Sequence, residues 1–204
     1  SMLSAGDALA ARMHSLDGRL REIDAGVNAQ IESTVESVNA YARQIATLNS
    51  RIAQAQVNPG QPPNDLLDMR DKLLGELNEL VGATAVVQGD GNMSVSIGTG
   101  QSLVVGTQAY RLAAVASTEV VGRTEVAYLA GGTPVVMSEQ SLNNGSLGAL
   151  PALRSGALTD ARNELGRVAA GLAETFNAQH RLGQDVRGAM GGDFFRPATA
   201  QVTS

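Results

Sequence analysis

From residue 3 to residue 56 apolar side chains return every three or four positions. They fall at 9, 13, 16, 20, 23, 27, 31, 35, 38, 41, 45, 48 and 52, with no proline and glycine only at 6, 18 and 26. This is a heptad-like seam, relaxed between Ile23 and Val35 by three successive steps of four. One helix over the span is about 80 Å long at 1.5 Å per residue. It cannot bury such a seam alone, so partner helices are required. Residues 57–64, Val-Asn-Pro-Gly-Gln-Pro-Pro-Asn, read as a loop that reverses the chain. A second helix follows, packed antiparallel on the first and ending at Gly82. Asn64 or Asp65 is its expected cap. Leu67, Leu74, Leu77 and Val81 form its apolar stripe, and Asp68, Asp71, Lys72, Glu76 and Glu79 lie largely off it.

After Ala83 the period changes to two. Met93, Val95 and Ile97 alternate with Ser94 and Ser96; Val126 and Tyr128 alternate with Glu125 and Ala127. Turn signals occur at Gly89-Asp90-Gly91-Asn92, Gly98-Thr99-Gly100 and Gly131-Gly132-Thr133-Pro134. The expectation is five to seven short strands, at 84–88, 93–97, 102–105, 110–115, 125–130 and 134–137. They make a small antiparallel β domain with a core of its own, inserted between helices. A third helix is expected from near Ser146 to Gly183, with Pro151 at or just past its first turn. Its seam is Leu158, Ala161, Leu165, Val168, Leu172 and Phe176. The Gly-rich remainder reads as irregular, anchored by Phe194 and Phe195.

The fold class is therefore α+β: an elongated, coiled-coil-like bundle of three long helices with an inserted antiparallel β domain. The parts are residues 3–82 and 141–183 for the bundle, 83–140 for the insert and 184–204 for the tail. The helical seams show no gap that a sheet must fill, so replacing 84–140 by a linker is expected to leave a folded helical protein.

Composition narrows the function. Aromatic residues are 3% of the chain, which favours aliphatic helix packing over an aromatic ligand pocket. A net charge of −5 argues against nucleic-acid binding. No cysteine is present, which removes thiol nucleophiles, disulfides and Cys-ligated metals. No apolar run approaches the roughly 20 residues of a membrane span, and no signal peptide is visible. Ser1-Met2 reads as a cloning remnant, and the chain as an excised fragment.

Candidate chemistry is sparse. His180, Asp185 and Asp193 suggest a metal or acid–base site, but they lack the regular spacing of a calcium loop; a helix-end histidine beside a turn is the plainer reading. His14 and Asp17 are a turn apart with no accompanying nucleophile, as a solvated surface pair would be. Gly89-Asp90-Gly91-Asn92 has no GK[ST] and leads into no helix, so it is a hairpin turn and not a phosphate loop. Ala169, Ala170, Gly171 and Ala173 allow close helix approach. Arg70 and Asp71 are either a solvated face or a structural ion pair with another helix. No catalytic, cofactor-binding or metal residue is assigned.

Three segments carry a resemblance. The helix Leu66-Leu67-Asp68-Met69-Arg70-Asp71-Lys72-Leu73 runs directly into a Gly/Val/Thr-rich β region. Val-Asn-Ala-Tyr-Ala-Arg-Gln-Ile-Ala-Thr-Leu-Asn (38–49) precedes it. Ser-Leu-Asn-Asn-Gly-Ser-Leu-Gly-Ala-Leu (141–150), Phe-Asn-Ala-Gln-His (176–180) and Gly-Gly-Asp-Phe-Phe (191–195) follow. In this order, from about residue 7 to 195, they resemble the bacterial flagellar hook-associated protein 1 family. The resemblance implies a non-catalytic adaptor at the hook–filament junction, without cofactors. It implies export by the flagellar type III apparatus to the outside of the cell. The implied partners are the hook protein and the second hook-associated protein, with self-assembly into a ring in the full-length protein. Terminal assembly helices are then expected before residue 1 and after residue 204, and the fragment itself is expected to be monomeric, away from nucleic acid and membrane. A helical-bundle ligand-sensing receptor ectodomain shares the long helices and is the other reading; an enzyme is third.

Overall fold

The computed structural model describes residues 2–56, 63–142 and 144–196. The fold is α+β. Helix α1 spans Met2–Gln56 and α2 spans Asn64–Val81. Seven strands follow among the described residues: β1 Thr84–Val87, β2 Met93–Ile97, β3 Gln101–Val105, β4 Gln108–Ala109, β5 Leu112–Ala116, β6 Thr124–Ala130 and β7 Thr133–Val136. A 3-10 turn at Glu139–Leu142 leads into α3, Gly145–Leu153; a π-helical turn at Arg154–Leu158 then leads into α4, Thr159–Arg181. Most of the expected 57–64 loop lies outside the described residues.

The strands form two antiparallel sheets, in the orders β1-β2-β3-β4 and β5-β6-β7. The expected glycine turns close the β1–β2, β2–β3 and β6–β7 hairpins. In the first, Gly91 adopts φ 80° and the Asp90 carboxylate accepts the Asn92 backbone N–H at 3.0 Å. Asn92 also donates its side-chain amide to Asp90, and these bonds hold the Asp90 carboxyl below its usual range.

The chain divides into two compact units, residues 24–155 and residues 1–23 with 156–204. The first has one continuous core. Val27, Ile31, Val35, Val38, Ala42, Ile45 and Ala46 of α1 and Leu77 and Val81 of α2 pack with Met93, Val95, Ile97, Leu103, Val104, Leu112 and Val126 of the sheets. The expectation of a separate β core therefore gives way to a shared one. The alternating strands do bury one face, but they bury it against the α1 seam, so the sheets serve as the partner that this helix needs. Helix α2 runs antiparallel to α1, since Tyr41 faces Glu76 across their groove while Asn49 bonds Arg70.

Two boundaries differ from expectation. Helix α2 is preceded by Pro63, with no side-chain cap from Asn64 or Asp65; the Pro63 carbonyl accepts from Leu66 and Leu67 instead. Its end is as expected, with Gly82 left-handed at φ 60° and its N–H on the Asn78 carbonyl at 2.9 Å. The third helix is interrupted. It starts at Gly145, so Pro151 falls in the second turn, where it cannot donate to the Leu147 carbonyl. The backbone takes the wider π form just beyond, over Arg154–Leu158.

In the unit of residues 1–23 and 156–204, the two predicted seams are only half covered. Leu158 is its one buried hydrophobic side chain among the described residues. Leu16, Ile23, Val168 and Leu172 remain exposed. The 183–196 segment is not featureless: it folds back on α4, with a bridge between Gln184 and Met190.

Candidate functional site

Buried polarity in this molecule is devoted to gripping backbone. Asn28, Asn39 and Asn49 lie on α1 eleven and ten residues apart. Three helical turns are 10.8 residues, so the three amides share one face, the face toward the sheets. Asn39 donates to the Leu112 carbonyl and accepts from the Leu112 N–H, both at 2.9 Å. Asn28 does the same across a short gap, donating to Gly122 O at 2.7 Å and accepting from Thr124 N–H at 2.9 Å. Asn49 donates to Met93 O (2.7 Å) and Gly106 O (2.6 Å) and accepts from Met93 N–H (3.1 Å). An asparagine amide carries one acceptor and two donors and so imitates a peptide group. Each clamp satisfies backbone groups at the first residue of a strand: Met93 of β2, Leu112 of β5 or Thr124 of β6.

Arg70 is 3% exposed and completes the Asn49 clamp. Its Nη1 donates to Asn49 Oδ1 at 3.0 Å and to Gly91 O at 2.8 Å. It is thus neither a solvated residue nor half of an ion pair, the two readings the sequence left open; Asp71 beside it is exposed. Removing the Asn49 amide strands several buried groups at once, each costing about 1–3 kcal/mol when unsatisfied. Asn49→Leu should therefore destabilise the protein by about 3–5 kcal/mol in urea unfolding, although leucine adds apolar surface. A loss below about 1 kcal/mol would show that water replaces the amide.

Arg154, buried at the start of the π turn, plays the same part beside Asn28. Its Nε donates to Asp24 Oδ1 at 2.7 Å and its Nη1 to Thr124 O at 3.1 Å, and Nη2 reaches Asn28 Oδ1. On α4, Asn177 accepts from Phe194 N–H (2.9 Å) and Phe195 N–H (2.8 Å) and donates to Phe195 O (2.7 Å). Phe176, Phe194 and Phe195, the chain's three phenylalanines, cluster there with ring centroids 4.9–5.2 Å apart.

The titratable candidates follow this pattern. His180 Nδ1 lies 2.7 Å from Gly192 O. Asp185 accepts the Arg187 and Ala189 N–H groups at 2.8 Å, and Asp193 pairs with Arg181. Each of the three thus shapes the tail segment. Asp17 pairs with Arg21 one turn on, while His14 is exposed. Among the described residues no three His, Cys, Asp or Glu side chains converge as a metal site would need.

An open groove of about 480 Å³ lies between α1 and α2, lined by Tyr41, Leu48, Arg51, Met69, Lys72 and Glu76 among others. Glu76, hydrogen-bonded to Tyr41, holds the phenol above its usual range. Lys72 and Glu76 approach to 3.9 Å on the rim of the groove as an exposed pair one helical turn apart.

Sequence reasoning did not single out the asparagines or Arg154. The available signal was the recurrence of Asn every three turns along an apolar seam, a place where an amide needs a partner.

The comparisons agree with this geometry of packing. A family model described as the flagellar hook-associated protein FlgK helical domain matches residues 1–195. "Flagellar hook-associated protein 1" of Escherichia coli (strain K12) is 41% identical over 208 residues, covering 100% of this chain and 38% of that protein. The protein of the same name from Salmonella typhimurium is 42% identical over 207 residues, covering 100% of this chain and 37% of it. That of Bacillus subtilis (strain 168) is 28% identical over 213 residues, covering 93% of this chain and 42% of it. A solved structure titled as the flagellar hook junction protein FlgK from Burkholderia pseudomallei superposes with a TM-score of 0.84 at 37% identity, covering 94% of this chain and 35% of that one. The chain thus spans less than half the length of these relatives. It belongs to the flagellar hook-associated protein FlgK family, whose helical domain it carries.

Proposed function

We propose that this chain is the helical-domain part of an adaptor that joins the flagellar hook to the filament, works outside the cell after export by the flagellar type III apparatus, and assembles as a ring in its full-length form. The match of the family model over residues 1–195 carries the reading. Its partners are then the hook protein and the second hook-associated protein. The clamps support a mechanical role, since each ties helix to strand through backbone that side-chain drift does not loosen. The half-covered apolar faces of Leu16, Ile23, Val168 and Leu172 suit a segment that meets other chain only in the assembled protein.

The test is genetic. In a cell lacking its own junction protein, a full-length relative carrying this chain in place of its matching segment should restore swimming and attached filaments. A parallel version with Asn49→Leu should restore less. Filament subunits shed into the medium at the level of the deletion strain, despite stable secreted chimera, would overturn the junction role.

A further inference from the structure

The two sheets have four edges, and three are blunted. β4 is two residues long. β7 carries Pro134, which has no N–H to offer. β5 has its Leu112 N–H and carbonyl taken by Asn39, and it exposes no large side chain. These are ordinary protections against unwanted strand pairing.

β1 has none of them. Its sequence, Thr84-Ala85-Val86-Val87, contains no charge and no proline, and Val86 and Val87 are 61% and 58% exposed. The Gln88 N–H bonds Asn92 O at 2.7 Å across the hairpin. Antiparallel ladders alternate, so Gln88, Val86 and Thr84 point their backbone groups at β2. Ala85 and Val87 therefore point theirs away from the sheet.

We propose that β1 pairs with β1 of a second copy of this chain, antiparallel about a two-fold axis at Val86. In that register Ala85 of each chain stands opposite Val87 of the other. All the outward N–H and carbonyl groups then close on one another in narrow pairs. Val86 faces its own equivalent as a non-hydrogen-bonded pair, at about 4.5 Å between Cα atoms, and the two exposed side chains cover each other. The absence of charge matters, because like charges placed opposite by symmetry would repel. The result is one sheet running through both molecules. The buried area is small for a stable complex, so the chain is monomeric at low micromolar concentration and pairs when concentrated. A two-fold contact closes on itself; it joins two chains and adds nothing to a ring, so this inference stands apart from the assembly proposed above.

The chain has no native cysteine, which makes disulfide trapping specific. At high protein concentration under mild oxidation, V86C should form a covalent homodimer, since the expected Cα separation of about 4.5 Å lies within disulfide range. V135C, similarly exposed on β7, should not. T84C and Q88C should each stay monomeric alone and cross-link when mixed, because the register sets Thr84 against Gln88. V86K, which leaves the β1–β2 ladder untouched, should weaken association in sedimentation equilibrium by about tenfold. V86C that cross-links no faster than V135C, or T84C that pairs with itself as readily as with Q88C, would overturn the proposal. So would capture of a different protein by V86C without any homodimer.

Discussion

Replacing residues 84–140 by a short Gly/Ser linker should leave a chain that no longer unfolds as one cooperative unit. Seven of the eighteen buried residues in the main core, from Met93 to Val126, belong to that segment. A fully buried aliphatic side chain contributes about 1.5–3 kcal/mol. Losing seven removes about as much as the whole net stability of a domain, roughly 5–15 kcal/mol. The loss also reaches the helix, because Ile31, Val35 and Val38 of α1 would face water and Asn39 and Asn49 would lose their partners. The measurement is far-UV circular dichroism through a thermal melt of the deletion variant. A broad, non-cooperative melt with reduced helical signal is expected. A sharp melt with the helicity of α1, α2 and α4 intact would mean that the helices need no sheet.

Leu77→Asp should be the most damaging single substitution on α2. Leu77 is completely inaccessible to solvent. Losing the leucine costs about 2–5 kcal/mol, and the carboxylate adds a desolvation cost of its own. The buried cation Arg70 is two helical turns away, about 10 Å along the axis, too far to compensate. Burial raises the folded-state pKa of the new carboxyl. A raised pKa contributes stability at low pH that is lost as pH rises, so the gap between variant and parent should be smaller at pH 4 than at pH 7. Glu79→Ala, on the exposed side of the same helix, should change stability by less than about 0.5 kcal/mol. Equal shifts in Tm would mean that α2 buries a different face.

What the sequence made legible was periodicity. Steps of three and four gave α1 and α2, alternation gave the strands, and glycine gave the turns and the end of α2. What burial is made against is a long-range property that no period reports. The α1 seam reads the same whether a helix or a sheet covers it, which is why the separate β core was expected and a shared one found. The interruption of the third helix was half legible: Pro151 is plain to see, but its effect depends on where the helix begins, and Gly145 sets that one residue earlier than expected. The amide clamps and Arg70 were hidden for a simpler reason. Polar residues on a helix are counted as solvent-facing by default, and only a partner far along the chain, 21 residues away for Arg70 and 44 or more for Asn39 and Asn49, makes them buried.

The three clamps on α1 also impose an order in time. Asn49 meets Met93 across 44 residues, Asn39 meets Leu112 across 73 and Asn28 meets Gly122 across 94. Each loop encloses the one before it. Closing a loop costs entropy that grows with its length, so the innermost contact is the cheapest to make first. Once it is made, the next needs only the short flanking stretches to meet, and the third fewer still. Folding of this unit thus has a direction, zipping from the α1–α2 turn back along the helix toward Asp24. A chain emerging N-terminus first can pack its early helix only on α2 until residue 93 has appeared, and the last clamp to close is the one nearest its beginning.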